Sequence, residues 1–308
     1  MNQTSSLRAS IALVLALGLS SVAVAGNYST SYQYGNNNQA GTTQTGNNSS
    51  HVVQSGSANQ AATTQVGSSW GYAQQYGNAN NASLNQSGQN GGYLYQSGEG
   101  NYAAASQNGY NHAQSVQQGT SNGSTTNQAG QNSSIGYQQG SYNGSYANQQ
   151  GQNTGSVWVR GDYNSTSIYQ SGNSSPSQQQ SVNIQIGGET VSNNNWANAS
   201  QVGEGNQSTA LINGNSNGNY TGQYGADNVA KNRTTGTGNW THANQNGERN
   251  LVAGVDEEEF MTVEGYGNRA YLYQSGSDNE VHASQSGTYN NMYVNQYGSA
   301  NVATVIQN

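Results

Sequence analysis

The chain has no cysteine among its 308 residues, so it offers neither a disulfide framework nor a thiolate metal site. It has one proline, Pro176, which leaves almost the whole chain free to pair as strands. Only 6% of residues are charged, so self-repulsion does not keep the chain expanded. A net charge of −7 and a pI near 4.8 argue against a nucleic-acid partner, which would need a basic patch. Large apolar side chains are also scarce. Leu, Ile, Val and Phe supply 38 of 308 residues, fewer than a conventional packed core uses. What remains is mainly Asn, Gln, Gly, Ser and Tyr, a composition that favours strand pairing and aggregation over free solution.

The first residues read as a secretory signal. Arg8 supplies a basic region, Ile11 to Leu19 an apolar one, and Ala23-Val24-Ala25 a cleavage site. The apolar run is too short to span a bilayer, and no second long run follows, so no integral membrane span is expected. Residues 1–25 are therefore expected to be a signal peptide, with a secreted chain starting at Gly26.

A repeat organises the rest. Gln33-Tyr34-Gly35 is followed by Asn38, Ala40 and Gln44; Gln44-Thr45-Gly46 then opens a shorter variant that closes on Gln54. Anchor positions fall at 33, 44, 54, 65, 75, 86, 96, 107, 117, 128, 138, 149, 159 and 170, alternately 11 and 10 apart. Thirteen of these fourteen anchors are Gln, Val159 being the exception. Glycine follows two residues later, as at Gly35, Gly46, Gly56, Gly67, Gly77 and Gly88. Regularity of this kind marks a repeat architecture. Residues 26–172 form the first array. Residues 173–200 break the rhythm, with a loop around Pro176 and an irregular strand from Ser181 ending at Gln185. A second array, 201–308, has anchors 11 apart, with Ile212 and Thr234 in place of Gln and an acidic insertion near 255–262.

Side chains alternate along a strand, so every second residue back from an anchor shares its face. That face carries Asn80, Ala82, Leu84 and Gln86, or Asn101, Ala103, Ala105 and Gln107. The glycine segments between Gln and Asn allow the chain to turn, giving two short strands per repeat. Two strands cannot bury a core, but stacked coils can, each strand pairing with its equivalent ~4.8 Å away. The expected fold is all-β: a β-solenoid, or cross-β stack, of two-strand repeats of 21–22 residues. Its inward ladder would comprise Gln33, Gln44, Gln54, Gln65, Gln75, Gln86, Gln96 and Gln107, with Asn38, Asn59, Asn80 and Asn101. Amides stacked on amides satisfy groups whose unpaired burial costs about 1–3 kcal/mol each. Outward, Val53, Tyr95, Val116, Tyr137 and Trp158 precede alternate anchors, against Thr43, Thr64, Asn85 and Ser106 before the others. One side should carry an apolar stripe and the other stay polar. The stripe is either ordinary strand propensity or a contact surface.

Other signals carry little. Gly265-Tyr266-Gly267 with Ala270 mimics a nucleotide loop, but these glycines belong to the repeat's own turn and no helix pattern follows. His51, His112, His242 and His282 lack metal-ligand spacing, and Asp256 to Glu259 lacks the spaced pattern of a calcium loop. No catalytic constellation stands out, so no enzyme, metal or cofactor is expected.

The repeat resembles curlin, the secreted subunit of bacterial curli amyloid fibres. The family motif, S-x5-Q-x-G-x-x-N-x-A-x3-Q, is met by Ser69, Gln75, Gly77, Asn80, Ala82 and Gln86, and in part by Gln296, Gly298, Asn301, Ala303 and Gln307. The resemblance covers most of 33–172 and 201–308. It implies an extracellular cross-β subunit of the biofilm matrix on the bacterial surface, active in adhesion and aggregation. Implied partners are further copies of the chain, other curli subunits, an outer-membrane export pore and periplasmic chaperones. The sequence departs from the common five-repeat subunit in its many repeats and in Asn48, Asn90, Asn111 and Asn132, where the family has Ser. Only seven residues separate Gly26 from Gln33, without the usual glycine-rich export leader. The last strand, with Val302, Val305, Ile306 and Gln307, has no Pro or charge and is expected to act as a polymerising edge. Alternatives are a fibre-nucleating minor subunit and a non-polymerising solenoid adhesin or ice-binding protein.

Overall fold

Small or apolar residues alternate with polar ones along each arm, and that alternation is read directly as burial. In the strand Gln60–Gly67, Ala61, Thr63 and Gln65 are buried while Gln60, Ala62 and Thr64 face solvent. The computed structural model describes residues 26–172, 179–188, 191–255 and 259–308. The expected signal peptide, the loop around Pro176 and the acids Asp256 to Glu258 lie outside the described residues.

The described chain is a parallel β-solenoid of about 13 turns, without helix. Each turn places one strand on each of two faces. Face A runs from Tyr28–Asn36 through Ser49–Ser57 and Trp70–Asn78 to Val302–Gln307, every strand parallel to the next. Face B runs in the same way from Gln39–Gly46 through Gln60–Gly67 to Asn291–Ser299. Two longer strands, Gly123–Ser141 and Gly144–Arg160, bend through a corner unbroken and join the faces into a 24-stranded sheet.

The corners explain the change of period. The corner from face A to face B contains a left-handed residue in each coil, such as Asn37 (φ 55°), Ala58 (φ 56°) or Ala79 (φ 53°). In the first array the opposite corner is one residue shorter and lacks this feature. In the second array it gains a residue and adopts the same turn, with Asp227 (φ 53°), Arg249 (φ 52°) and Asp278 (φ 56°) at the left-handed position. Register follows: Gln54 pairs with Gln75, 21 residues on, and Gln201 with Gln223, 22 on.

Both interruptions are absorbed without breaking the stack. Gln170 pairs with Gln201 across the first. At the second, Val229 pairs with Leu251, 22 residues on, but Asn232 pairs with Met261, 29 on. The acidic insertion thus splits one face A rung into Leu251–Ala253 and Met261–Tyr266. The irregular strand needs a correction. It spans Gln180–Ile186, and Ile186, not Gln185, takes the anchor register between Val159 and Ile212. Gln185 faces outward beside Trp158. The repeat period is broken in the sequence on either side, so spacing does not fix the register there, whereas burial of Ile184 and Ile186 decides it.

Core composition varies along the axis. The first array packs mainly Ala around Val52, Leu84 and Leu94. The centre is aliphatic, with Val157, Val159, Ile168, Val182, Ile184, Ile186 and Ile212. The last coils pack Met261, Val263, Leu272, Val281 and Met292.

Candidate functional site: amide ladders and coil surfaces

Gln54, Gln65, Gln75, Gln86 and Gln96 are fully buried, Gln107 and Gln44 nearly so, and Gln33 half-buried. On face B an unbroken row from Gln44 to Gln296 is joined by eleven hydrogen bonds of 2.7–3.0 Å. In each, Nε2 of one coil donates to Oε1 of the next. The second Nε2 proton reaches across the interior to a backbone carbonyl of the opposite face, as from Gln65 to Ser49 O (3.1 Å) and Gln86 to Trp70 O (3.1 Å). Both donors of every such amide are used, and the aligned bonds polarise one another.

On face A the same ladder runs from Gln33 to Gln138 at 2.7–3.0 Å. It then stops. Val159, Ile186, Ile212, Thr234 and Val263 occupy the row before Gln285 and Gln307 resume it at 3.0 Å. The interruption coincides with the aliphatic centre of the core.

Asparagine ladders line the corners in the opposite sense. Asn59 donates Nδ2 to Asn38 Oδ1 (3.1 Å), Asn80 to Asn59 (3.1 Å) and Asn101 to Asn80 (3.0 Å). Nδ2 of Asn59 also holds the carbonyl of Gly77 in the next coil (2.8 Å). At the short corner the row is Asn48, Ser69, Asn90, Asn111 and Asn132. Asn111 donates both its backbone N–H (3.0 Å) and Nδ2 (3.1 Å) to Asn90 Oδ1, whereas Ser69 Oγ receives only the backbone N–H of Asn90 (3.2 Å). Asn in place of Ser therefore adds one side-chain bond per coil.

The glycines two residues after each anchor also stack. Gly56 (φ 122°) and Gly77 (φ 106°) lie in register, and a Cβ on either would strike the carbonyl of the next glycine in the row. Gly35, Gly46, Gly67 and Gly88 share this geometry. The position excludes side chains on two grounds, handedness and space.

Outside, Val53, Tyr95, Val116 and Tyr137 are half-buried in one face A row, and Trp158 at its end is 50% exposed. Neighbouring rings stack: His51 on Tyr72 at 4.6 Å, Tyr72 on Tyr93 at 5.6 Å, Tyr137 on Trp158 at 4.4 Å. The division into one aromatic and one polar side holds only in the first array. In the second, face A presents Lys231, Arg233 and Thr262, and the aromatics move to face B, where Tyr220 meets His242 at 4.6 Å and Tyr271 stacks on Tyr293 at 5.1 Å. Outward positions do not touch the core, so core register does not bind the two arrays to the same face.

The histidines belong to these surfaces. Burial pushes His242 below the ordinary imidazole pKa. Among the described residues no cluster of three or more metal-ligating side chains occurs. Gly265 and Gly267 lie at a strand-to-strand corner, and Glu259 pairs with Lys231 at 2.9 Å. In the last strand Val302 and Ile306 are exposed, Val305 packs on the core and Gln307 accepts from Gln285.

These features define a structural repeat protein: coils joined by backbone ladders and by two kinds of amide ladder. The family model described as the curlin associated repeat matches residues 264–287, and the chain therefore carries a curlin repeat. That stretch is one coil, with Gln274, Gly276, Asn279 and Gln285 at the motif positions. No curated protein matches the chain at a significant level. Fold and repeat are structural in kind, and no helix of the described residues is long and apolar enough to cross a membrane.

Proposed function

We propose that the protein is an extracellular structural subunit that self-assembles coil on coil into curli-like fibres, serving adhesion and biofilm matrix. One observation carries the reading: every coil offers its neighbour parallel backbone, a face B glutamine and a corner asparagine in register, and the coils of the first array up to Gln138 add a face A glutamine. A lattice that pairs coil to coil within a chain serves equally between chains, because the donors of one step match the acceptors of the next. The curlin repeat supports the same reading, and with it an extracellular setting. Export pore, chaperones and companion subunits enter as proposed partners by family resemblance.

The test is assembly of the purified chain after signal removal. Thioflavin-positive fibres with a meridional reflection near ~4.7 Å are expected, and preformed fibres should shorten the lag. A product that stays monomeric at concentrations well above those of other fibre-forming subunits would sink the proposal.

A further inference from the structure

The short corner of the first array forms a groove parallel to the coil axis, a cavity of about 540 Å³. One wall is the row Trp70, Gly91, His112, Ser133 and Thr154, each the first residue past the corner on consecutive face A rungs. Four rung spacings of ~4.8 Å make it about 19 Å long. The other wall includes Gln89, Tyr110 and Gln131, and the floor is the asparagine ladder. Among the described residues no Asp, Glu, Lys or Arg lines it.

Two details set the groove apart from a bare corner. First, the indole of Trp70 lies across the next rung toward His112, with ring centroids 5.7 Å apart. It can lie there because the intervening residue is Gly91: a Cβ would stand 2.5–2.7 Å from the indole atoms. The device recurs at the other corner, where Gly218 separates Trp196 from Trp240, whose rings stack at 5.4 Å. Second, the ladder of the floor ends at Asn153. Its Oδ1 is buried and lacks a donor among the described residues, whereas Asn132 Oδ1 receives two bonds.

We propose that this groove binds a neutral, linear polysaccharide lying along the coil axis. A flat indole held open to solvent presents the surface on which the C–H face of a pyranose stacks, and flanking amides and hydroxyls suit its hydroxyl edge. Absence of charged walls disfavours anionic polymers. A peptide strand is disfavoured too, because the backbone of this row is already paired, Trp70 N–H to Asn90 O (2.9 Å) and Gly91 N–H to Asn111 O (2.8 Å). Rungs repeat along the groove, so a polymer contacts several coils at once.

The test is saturation-transfer NMR of the full chain with a β-1,4-linked glucose hexamer and, as comparison, a uronate hexamer. Transfer to the neutral hexamer and little to the anionic one is expected. Trp70→Ala should weaken binding about tenfold, the scale of one lost aromatic contact. Trp158→Ala, which removes an exposed indole outside the groove, should leave it within about twofold by the same reasoning. Gln131→Ala, at an exposed corner, removes one wall amide without touching the core and should weaken binding a few-fold. Absence of transfer, equal binding of the uronate, or equal losses for Trp70→Ala and Trp158→Ala would overturn the proposal. So would unchanged affinity in both Trp70→Ala and Gln131→Ala.

Discussion

Gln96→Ala removes one link from the middle of the face A ladder. Gln96 is fully buried; its Nε2 donates to Gln117 Oε1 (3.0 Å) and to Asn81 O (2.9 Å), and its Oε1 accepts from Gln75 (2.8 Å). Truncation leaves the Gln117 oxygen without that donor, strands one proton of Gln75 and opens a cavity. Each of the two orphaned polar groups costs about 1–3 kcal/mol, and the lost volume about 2 more, so a destabilisation of about 4–8 kcal/mol is expected. Gln138 provides the internal comparison. It accepts from Gln117 (2.9 Å) and donates to Gly123 O (3.0 Å), but no glutamine follows it because Val159 occupies the next rung. Gln138→Ala should therefore cost about 1–3 kcal/mol less than Gln96→Ala, the difference being one orphaned ladder group. Asn85→Ala, at an exposed face B position, should stay within about 0.5 kcal/mol. Denaturant midpoints of the unassembled chain measure all three, and fibre growth rates should rank them in the same order. A Gln96→Ala variant as stable as Asn85→Ala would refute the inward ladder.

Further outcomes follow from the same geometry. Gly77→Ala, at φ 106° against the backbone of Gly98, should cost more than about 3 kcal/mol, whereas Gly123→Ala, with open space at its Cβ, should be nearly neutral by thermal melting. Val159→Gln can accept from Gln138 Nε2 but places its own Nε2 against Ile186, so it should destabilise by about 1–3 kcal/mol. His242, stacked between Tyr220 and Tyr271, has a folded pKa below its ordinary 6.5. The unfolded chain then binds the proton more readily, so this contribution is complete at neutral pH and is lost as pH falls below about 6.5. His242→Phe should keep the stack and flatten that part of the pH–stability curve.

Much of this arrangement was legible before any coordinates. Gln33 to Gln107 can all be turned inward because a period of two within an 11/10 repeat admits one parity, and a slip would expose every amide. Asn80 and Asn101 were legible for the same reason. Other parts depend on what lies between repeats. Ile186 cannot be preferred over Gln185 by counting, since the repeat period is broken on both sides of that strand. The lengthening from 21 to 22 is visible as spacing, but its cause, a left-handed residue such as Arg249 at the second corner, is a backbone property that residue type alone does not announce. The shift of aromatics to Tyr271 and Tyr293 on face B is not legible from the stripe, which is defined by residues that precede anchors in the first array. Trp70 beside Gly91 is not legible from it either. A signal existed, a Trp opening one coil and a Gly 21 residues later, but it has meaning only once the two rungs are known to be adjacent.

The central claim is that glutamines face inward and stack from coil to coil, within one chain and between chains. Cryo-electron microscopy of assembled fibres tests it most directly. The account predicts parallel rungs ~4.8 Å apart, with side-chain density of Gln54, Gln75 and Gln96 stacked inside face A and that of Gln65 and Gln86 inside face B. Fibres whose glutamines point to solvent, or whose neighbouring rungs run antiparallel, would contradict it.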